Sequence, residues 1–123
     1  MNHLNVSIIV PAYNEAATIG DLVLTIKTRY PDYEIVVLND GSTDDTATVA
    51  FNAGATVYNH PYNIGNGAAI KSGIKKASGE VLVFMDGDNQ HDPEEIARLL
   101  EYLPEFDMVV GARSNDSFFQ FSC

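Results

Sequence analysis

The chain alternates short apolar runs with stretches in which apolar residues recur at helical spacing. The runs Val6–Val10, Glu34–Asn39 and Val81–Met85 predict strands buried on both faces, and Met108–Val110 predicts a shorter fourth strand. Between the first two runs, apolar positions at i, i+3, i+4 and i+7 predict the buried face of a helix, formed by Ile19, Leu22, Val23 and Ile26. Strands that alternate with helices predict an α/β fold with a mostly parallel, Rossmann-like sheet and helices on both faces.

Turn and cap signals place two further helices and a strand. After Asn39 a short helix is predicted, with Ser42 or Thr43 as its N-cap and Gly54 just beyond its last turn. A brief strand is predicted over Thr56–Tyr58, and a helix over residues 68–77.

Composition narrows the class of protein. The 123 residues and 46% hydrophobic content fit one domain with a real core. No stretch is long and apolar enough to span a bilayer, and the N-terminus lacks a secretory signal, so a cytoplasmic protein is expected. Cys123 is the single cysteine, which excludes an intramolecular disulfide. A net charge of −10 makes nucleic acid an unfavourable partner.

Polar clusters follow each of the long predicted strands. They read PAYNE after the first strand, NDGSTDD after the second and DGDNQ after the run that ends at Met85. In parallel sheets, ligands bind beyond the carboxyl ends of the strands. The three clusters are therefore predicted to share one functional edge.

The acids that follow Met85 predict a metal site. Asp86 and Asp88 are two residues apart and can face the same point, while Gly87 lets a ligand approach the backbone. With Gln90 as a neutral oxygen donor, they suit Mg²⁺ or Mn²⁺ and leave coordination positions for phosphate oxygens. Asp92 stands before Pro-Glu-Glu and is interpreted as the N-cap of a helix.

The first two clusters suit a nucleoside. Pro11 is expected to end the first strand, Tyr13 offers a flat ring, and Glu15 offers an acceptor for ribose hydroxyls or base N–H groups. Asp40, at the end of the second strand, can accept a hydrogen bond from a base edge. The acids at positions 44 and 45 are interpreted as structural, because the dipole of a helix N-terminus explains them.

The sequence leaves the role of two other features open. The glycine-rich segment NIGNGAAIKSG matches only the first two glycines of a dinucleotide-binding fingerprint, because Ile70 stands at the third position. It can still bring backbone N–H groups near a sugar or phosphate. Arg113 follows the last predicted strand and either neutralises a diphosphate or is an ordinary surface arginine.

Taken together, the motifs VSIIVPAYNEAATIG, EIVVLNDGSTDDT, NIGNGAAIKSGIKKASGEVLVFMDGDNQHDP and MVVGAR resemble those of glycosyltransferase family 2, which has the GT-A fold. Within that family the chain is most similar to the dolichyl- or polyprenyl-phosphate mannosyl- and glucosyl-transferases. The resemblance implies a nucleotide-sugar-binding domain over residues 1–113. It also implies that family members continue beyond this point, so residues 114–123 are expected to be an irregular tail at a truncation point.

The resemblance also implies residue roles. Asp86, Asp88 and Gln90 would hold the divalent cation, and Asp88 would be the catalytic member. The residues implied to bind the donor are Pro11, Ala12, Tyr13, Glu15, Leu38, Asp40, Asp86, Gly87 and Arg113.

The implied reaction is an inverting sugar transfer from a GDP- or UDP-sugar, in which the cation stabilises the leaving nucleoside diphosphate. A polyprenyl phosphate acceptor at the membrane surface needs no general base, because its attacking oxygen is already anionic. Two alternatives are a nucleotidyltransferase of similar fold and a non-catalytic nucleotide-sugar-binding module. Phe118, Phe119 and Phe121 near the end of the chain are compatible with self-association.

Overall fold

A six-stranded sheet forms the centre of the computed structural model, which describes residues 5–85, 108–111 and 118–121. Its strand order is β3-β2-β1-β4-β5-β6, and every neighbouring pair is parallel except the antiparallel pair β5 and β6. The predicted α/β fold with a mostly parallel sheet is confirmed. The elements are β1 Val6–Ala12, α1 Ala16–Arg29, β2 Glu34–Asn39, α2 Thr46–Ala53, β3 Thr56–Asn59, α3 Asn66–Lys76, β4 Val81–Phe84, β5 Met108–Gly111 and β6 Phe118–Phe121.

The two faces of the sheet have separate hydrophobic cores. Alternate residues of a strand point to opposite faces, so Ile8 packs in the core beneath α1 and α2, and Ile9 packs in the core beneath α3. Helices therefore cover both faces, as predicted. The four apolar residues that defined α1 in the sequence are all fully buried in the first of these cores: Ile19, Leu22, Val23 and Ile26.

Proline does not end the first strand where the sequence analysis expected. Strand β1 continues through Pro11 to Ala12, and Pro11 is in register with Leu38 of β2. The backbone O of Ile9 accepts a bond from Met85 N on the β4 side, and Pro11, two residues on, faces that side too. Because the paired register of β1 with β4 ends at Ile9 and Phe84, the missing N–H of Pro11 costs no ladder bond.

The start of α2 also differs from its prediction. The N-cap position is Asp45, not Ser42 or Thr43, because the Ser42 hydroxyl accepts a tertiary hydrogen bond from the backbone N of Asn14. The end of the helix is as expected: Gly54 follows the last turn in the left-handed conformation, with φ of 112°.

The tail was predicted to be irregular, but residues 118–121 form the edge strand β6, in which Phe118 is in register with Gly111. Four residues are too few for an alternating pattern to indicate a strand. This strand forms through its antiparallel pairing with β5, which the local sequence does not show. The helix predicted to begin near Asp92 lies outside the described residues. In the described part of the chain, no helix has the length and apolar character needed to cross a membrane.

Candidate active site

The strand order creates a crevice at the carboxyl edge of the sheet. From β1 the chain passes through α1 to β2 on one side, and it later returns through α3 to β4 on the other side of β1. The topological switch point thus lies between β1 and β4, where open α/β sheets bind ligands. The turns after β1 and β2 and the end of β4 meet here.

The turns after β1 and β2 are joined by reciprocal hydrogen bonds. The backbone N of Asn14 donates to Ser42 Oγ at 2.9 Å, and Thr43 N donates to Asn14 Oδ1 at 2.8 Å. The backbone N of the next residue, Glu15, donates to Thr46 Oγ1 at 2.9 Å. Asn14 adopts a positive φ of 53°, a conformation that asparagine tolerates better than most residues. The two turns therefore form one rigid rim.

Asp44 belongs to this rim as a structural residue. Its carboxylate accepts hydrogen bonds from Ala16 N, at the start of α1, and from Thr46 N, at the start of α2. It also accepts from the Thr46 hydroxyl. Hydrogen bonding from Thr46 holds the pKa of Asp44 below 3.8. This supports the interpretation of Asp44 as structural, although it precedes the helix and does not lie in its first turn.

Asp40 is a buried carboxylate at this edge, and both of its oxygens accept hydrogen bonds. It is 4% exposed, and its Oδ1 accepts from His60 Nδ1 at 2.8 Å and from Ile64 N at 3.0 Å. Its Oδ2 accepts from Gly65 N at 2.8 Å. Burial by itself raises the pKa of Asp40, but the hydrogen bonds from His60, Ile64 and Gly65 outweigh burial and hold it below 3.8. Asp40 is therefore an anion at neutral pH.

His60 was not selected from the sequence, yet it connects two elements at this edge. Its second ring nitrogen, Nε2, lies 2.8 Å from Ser72 Oγ on α3. A neutral ring that donates from Nδ1 to Asp40 and accepts at Nε2 from Ser72 satisfies both contacts. The residue follows β3, the neighbour of β2, so the carboxyl-end rule could have placed it beside Asp40.

The loop that carries His60 closes tightly over the end of β2. Gly41 has a φ of 73°, and a Cβ atom there would lie 2.3 Å from the backbone C of Tyr62. Only glycine fits this position, because the conformation and the contact both exclude a side chain. Asn63 Nδ2 adds a bond of 3.3 Å to the backbone O of Asp40. The loop and the turn after β2 thus form one unit.

Besides Asp40, five predicted donor-binding residues lie in or near the first two strands, and their environments differ. Tyr13 is 45% exposed beyond β1, whereas Pro11 and Ala12 are buried within that strand. Glu15 is half-buried at the N-cap position of α1. Leu38 was expected to contact the base. Its side chain is fully buried and packs in the core beneath α3.

The predicted ligands of the metal and diphosphate lie outside the described residues: Asp86, Gly87, Asp88, Gln90 and Arg113. Strand β4 ends at this edge, and the next residue after Met85 in the sequence is Asp86. Within residues 5–85 and the two short strands, no group of three or more His, Cys, Asp or Glu residues could hold a metal ion.

The described part of the edge is acidic. It contributes the carboxylates of Glu15, Asp40, Asp44 and Asp45. Helices that connect parallel strands run back towards the opposite edge, and four of the five described Lys and Arg residues lie in the last turns of these helices: Lys27, Arg29, Lys75 and Lys76. Among the described residues, charge alone would therefore repel a diphosphate from the crevice.

Comparison with known proteins gives a consistent assignment. A sequence model described as glycosyl transferase family 2 matches residues 7–119. Protein RfbJ of Shigella flexneri is 33% identical over 114 residues, which cover 91% of this chain and 88% of that protein. The undecaprenyl-phosphate 4-deoxy-4-formamido-L-arabinose transferase of Pseudomonas fluorescens is 38% identical over 122 residues, which cover 89% of this chain.

A solved structure shares the fold. Glucosyl-3-phosphoglycerate synthase from Mycobacterium tuberculosis, in complex with Mn²⁺, UDP and glucosyl-3-phosphoglycerate, is 31% identical with a TM-score of 0.71 over 81% of this chain. The chain spans 39% of the length of that synthase and 36% of the length of the arabinose transferase.

Proposed function

Because the chain belongs to glycosyl transferase family 2, we propose that the carboxyl edge of its sheet binds a nucleotide-diphospho-sugar donor. The GT-A type of α/β fold implied by the sequence motifs is confirmed by the likeness to the solved synthase. The observation that carries the proposal is the strand order β2-β1-β4. It sets the exposed ring of Tyr13 and the anionic Asp40 on one side of the crevice and the end of β4 on the other.

The dimensions of this edge suit a nucleoside diphosphate. Neighbouring strands are about 5 Å apart, so the ends of β2 and β4 are separated by about 10 Å, comparable to the span from a nucleobase to its diphosphate. In this arrangement the base lies beside Asp40, the ribose lies near Tyr13 and Glu15, and the diphosphate lies at the β4 side. The complex of the related synthase with UDP supports this choice of ligand.

A divalent cation fits the chemistry of this edge. The described residues contribute acids there, and a diphosphate needs a cation to enter such a site. Asp86, Asp88 and Gln90 supply two carboxylates and an amide oxygen, a donor set that suits Mg²⁺ or Mn²⁺. When bound, the cation neutralises charge that develops on the leaving diphosphate. The Mn²⁺ in the complex of the related synthase supports this requirement.

For the complete reaction we favour a polyprenyl phosphate as acceptor, because the related arabinose transferase is named for undecaprenyl phosphate. A phosphate oxygen attacks the anomeric carbon, and the bond from that carbon to the nucleoside diphosphate breaks with its electron pair on the leaving group. A single displacement inverts the anomeric centre. The attacking oxygen is already anionic, so no general base is required. This acceptor would bring the protein to a membrane surface.

Titration calorimetry with UDP tests the donor site directly. We expect UDP to bind in the presence of Mn²⁺ and to bind more weakly without it, and we expect Asp88→Ala to abolish the dependence on Mn²⁺. Asp45→Ala is the matched control: this exposed acid at the same edge makes no side-chain capping bond, so its loss should leave the dependence of binding on Mn²⁺ unchanged. Absence of UDP binding under all conditions would reject the donor site.

A non-catalytic donor-binding module, the alternative that the sequence analysis left open, is the second candidate. An assay for sugar transfer to polyprenyl phosphate separates the two functions. Transfer by this chain supports the enzyme, whereas metal-dependent binding of UDP without transfer supports the module. The nucleotidyltransferase alternative is set aside by membership of the glycosyltransferase family.

A further inference from the structure

The surroundings of Asp40 restrict which base the donor can carry. A carboxylate has about four lone-pair positions for hydrogen bonds. In the described structure, Oδ1 accepts from His60 and from Ile64, which fills both of its positions, and Oδ2 accepts from Gly65 alone. One position on Oδ2 is left for a ligand, and the side chain of Asp40 is 6% exposed.

We propose that His60 is a specificity-determining residue that makes the site select uracil over guanine. This inference rests on the proposed function of the edge as a nucleotide-sugar site. Uracil presents one N–H on its pairing edge, N3–H, with a carbonyl on either side, and one free acceptor position satisfies it. Guanine presents two adjacent donors, N1–H and the 2-amino group, which a carboxylate binds through both of its oxygens. His60 and Ile64 block the second oxygen.

The block is held in place from two directions. The His60 ring is fixed between Asp40 and Ser72, with 2.8 Å to each, so it cannot swing away without breaking both contacts. The Ile64 N–H belongs to the loop that closes over Gly41, and the tight contact there prevents its retreat. A guanine that docks at Oδ2 therefore leaves one of its donors without an acceptor, which costs affinity.

The first test uses the unaltered chain and compares three nucleotides by titration calorimetry with Mn²⁺. UDP should bind about tenfold to a hundredfold more tightly than GDP, the effect of one lost bond to a charged group. Inosine diphosphate lacks the 2-amino group of GDP and keeps the N1–H, so it should bind more tightly than GDP. Equal binding of GDP and UDP, or GDP binding more tightly than inosine diphosphate, overturns the inference and leaves the donor site standing.

The second test changes the block itself. His60→Ala frees one position on Oδ1, so the preference for UDP over GDP should fall by about tenfold. His60→Gln retains a side-chain N–H donor and should restore the preference. Tyr62→Ala, an exposed residue of the same loop, should leave it unchanged. An undiminished preference in His60→Ala overturns the role of His60. If no nucleotide binds to the unaltered chain, the proposed function fails together with the inference.

Discussion

The replacement Asp40→Asn probes the centre of the carboxyl edge with almost no change of shape. An amide has one acceptor oxygen, whereas Asp40 accepts with both oxygens. If the amide oxygen faces Gly65, then His60 and Ile64 lose their acceptor; if it faces them, the amide NH₂ opposes Gly65 N–H. Each buried donor left unsatisfied costs about 1–3 kcal/mol, so we expect a loss of about 2–4 kcal/mol in the free energy of unfolding at pH 7.

Urea unfolding of Asp40→Asn and the unaltered chain across pH measures this loss. The folded pKa of Asp40 lies below its ordinary value of 3.8, so its ionised form stabilises the fold fully above pH 3.8. That contribution is lost as pH falls through the folded pKa, and the difference between the two proteins should shrink in that acid range. Asp45→Asn, at an exposed position, is the control. A difference below about 0.5 kcal/mol at pH 7, typical of surface substitutions, would refute the reasoning.

Two further stability predictions concern the rim of the site. Gly41→Ala should lower the free energy of unfolding in urea by about 2–4 kcal/mol, because a positive φ is unfavourable for alanine and its Cβ would clash with the backbone of Tyr62. Gly67→Ala, with open space around its Cβ on helix α3, should instead stabilise by about 0.5–1 kcal/mol, and a loss there would contradict the helix. Thr46→Val should cost about 1–3 kcal/mol, because it leaves Glu15 N without its hydroxyl acceptor; an unchanged midpoint would argue against that bond.

The sequence predicts those features of the fold that depend on periodicity. Apolar spacing located α1 correctly, because burial of residues such as Leu22 and Ile26 repeats with the helix turn. Cap and turn signals gave wrong predictions where a residue interacts with another that is distant in the sequence. Ser42 looked like an N-cap, but its hydroxyl bonds the turn after β1, 28 residues away in sequence. Pro11 looked like a strand end, but only the neighbouring strand decides whether its missing N–H matters.

In the site, too, positions set by the strands were predictable, whereas contacts between residues distant in sequence were not. The carboxyl-end rule correctly placed Asp40 at the edge, since that position depends only on where β2 ends. Its partners could not be predicted, because His60 and Gly65 come from a loop 20 to 25 residues further along the chain. Leu38, two residues before Asp40 in sequence, has its side chain in the core beneath α3, so the predicted contact of Leu38 with the base stays a prediction that only its backbone can fulfil.

The central claim is that a nucleotide diphosphate and a divalent cation bind together at the carboxyl edge of the sheet. Amide proton–nitrogen NMR of the chain with UDP and Mn²⁺ tests it, because the paramagnetic ion broadens signals near its site. We predict shifts or broadening at Gly41, Ile64 and Gly65, with no change at the opposite edge, where Glu80 N donates to Asn5 O at 2.7 Å. Broadening centred on Asn5 and Glu80, or no response at either edge, would contradict the account.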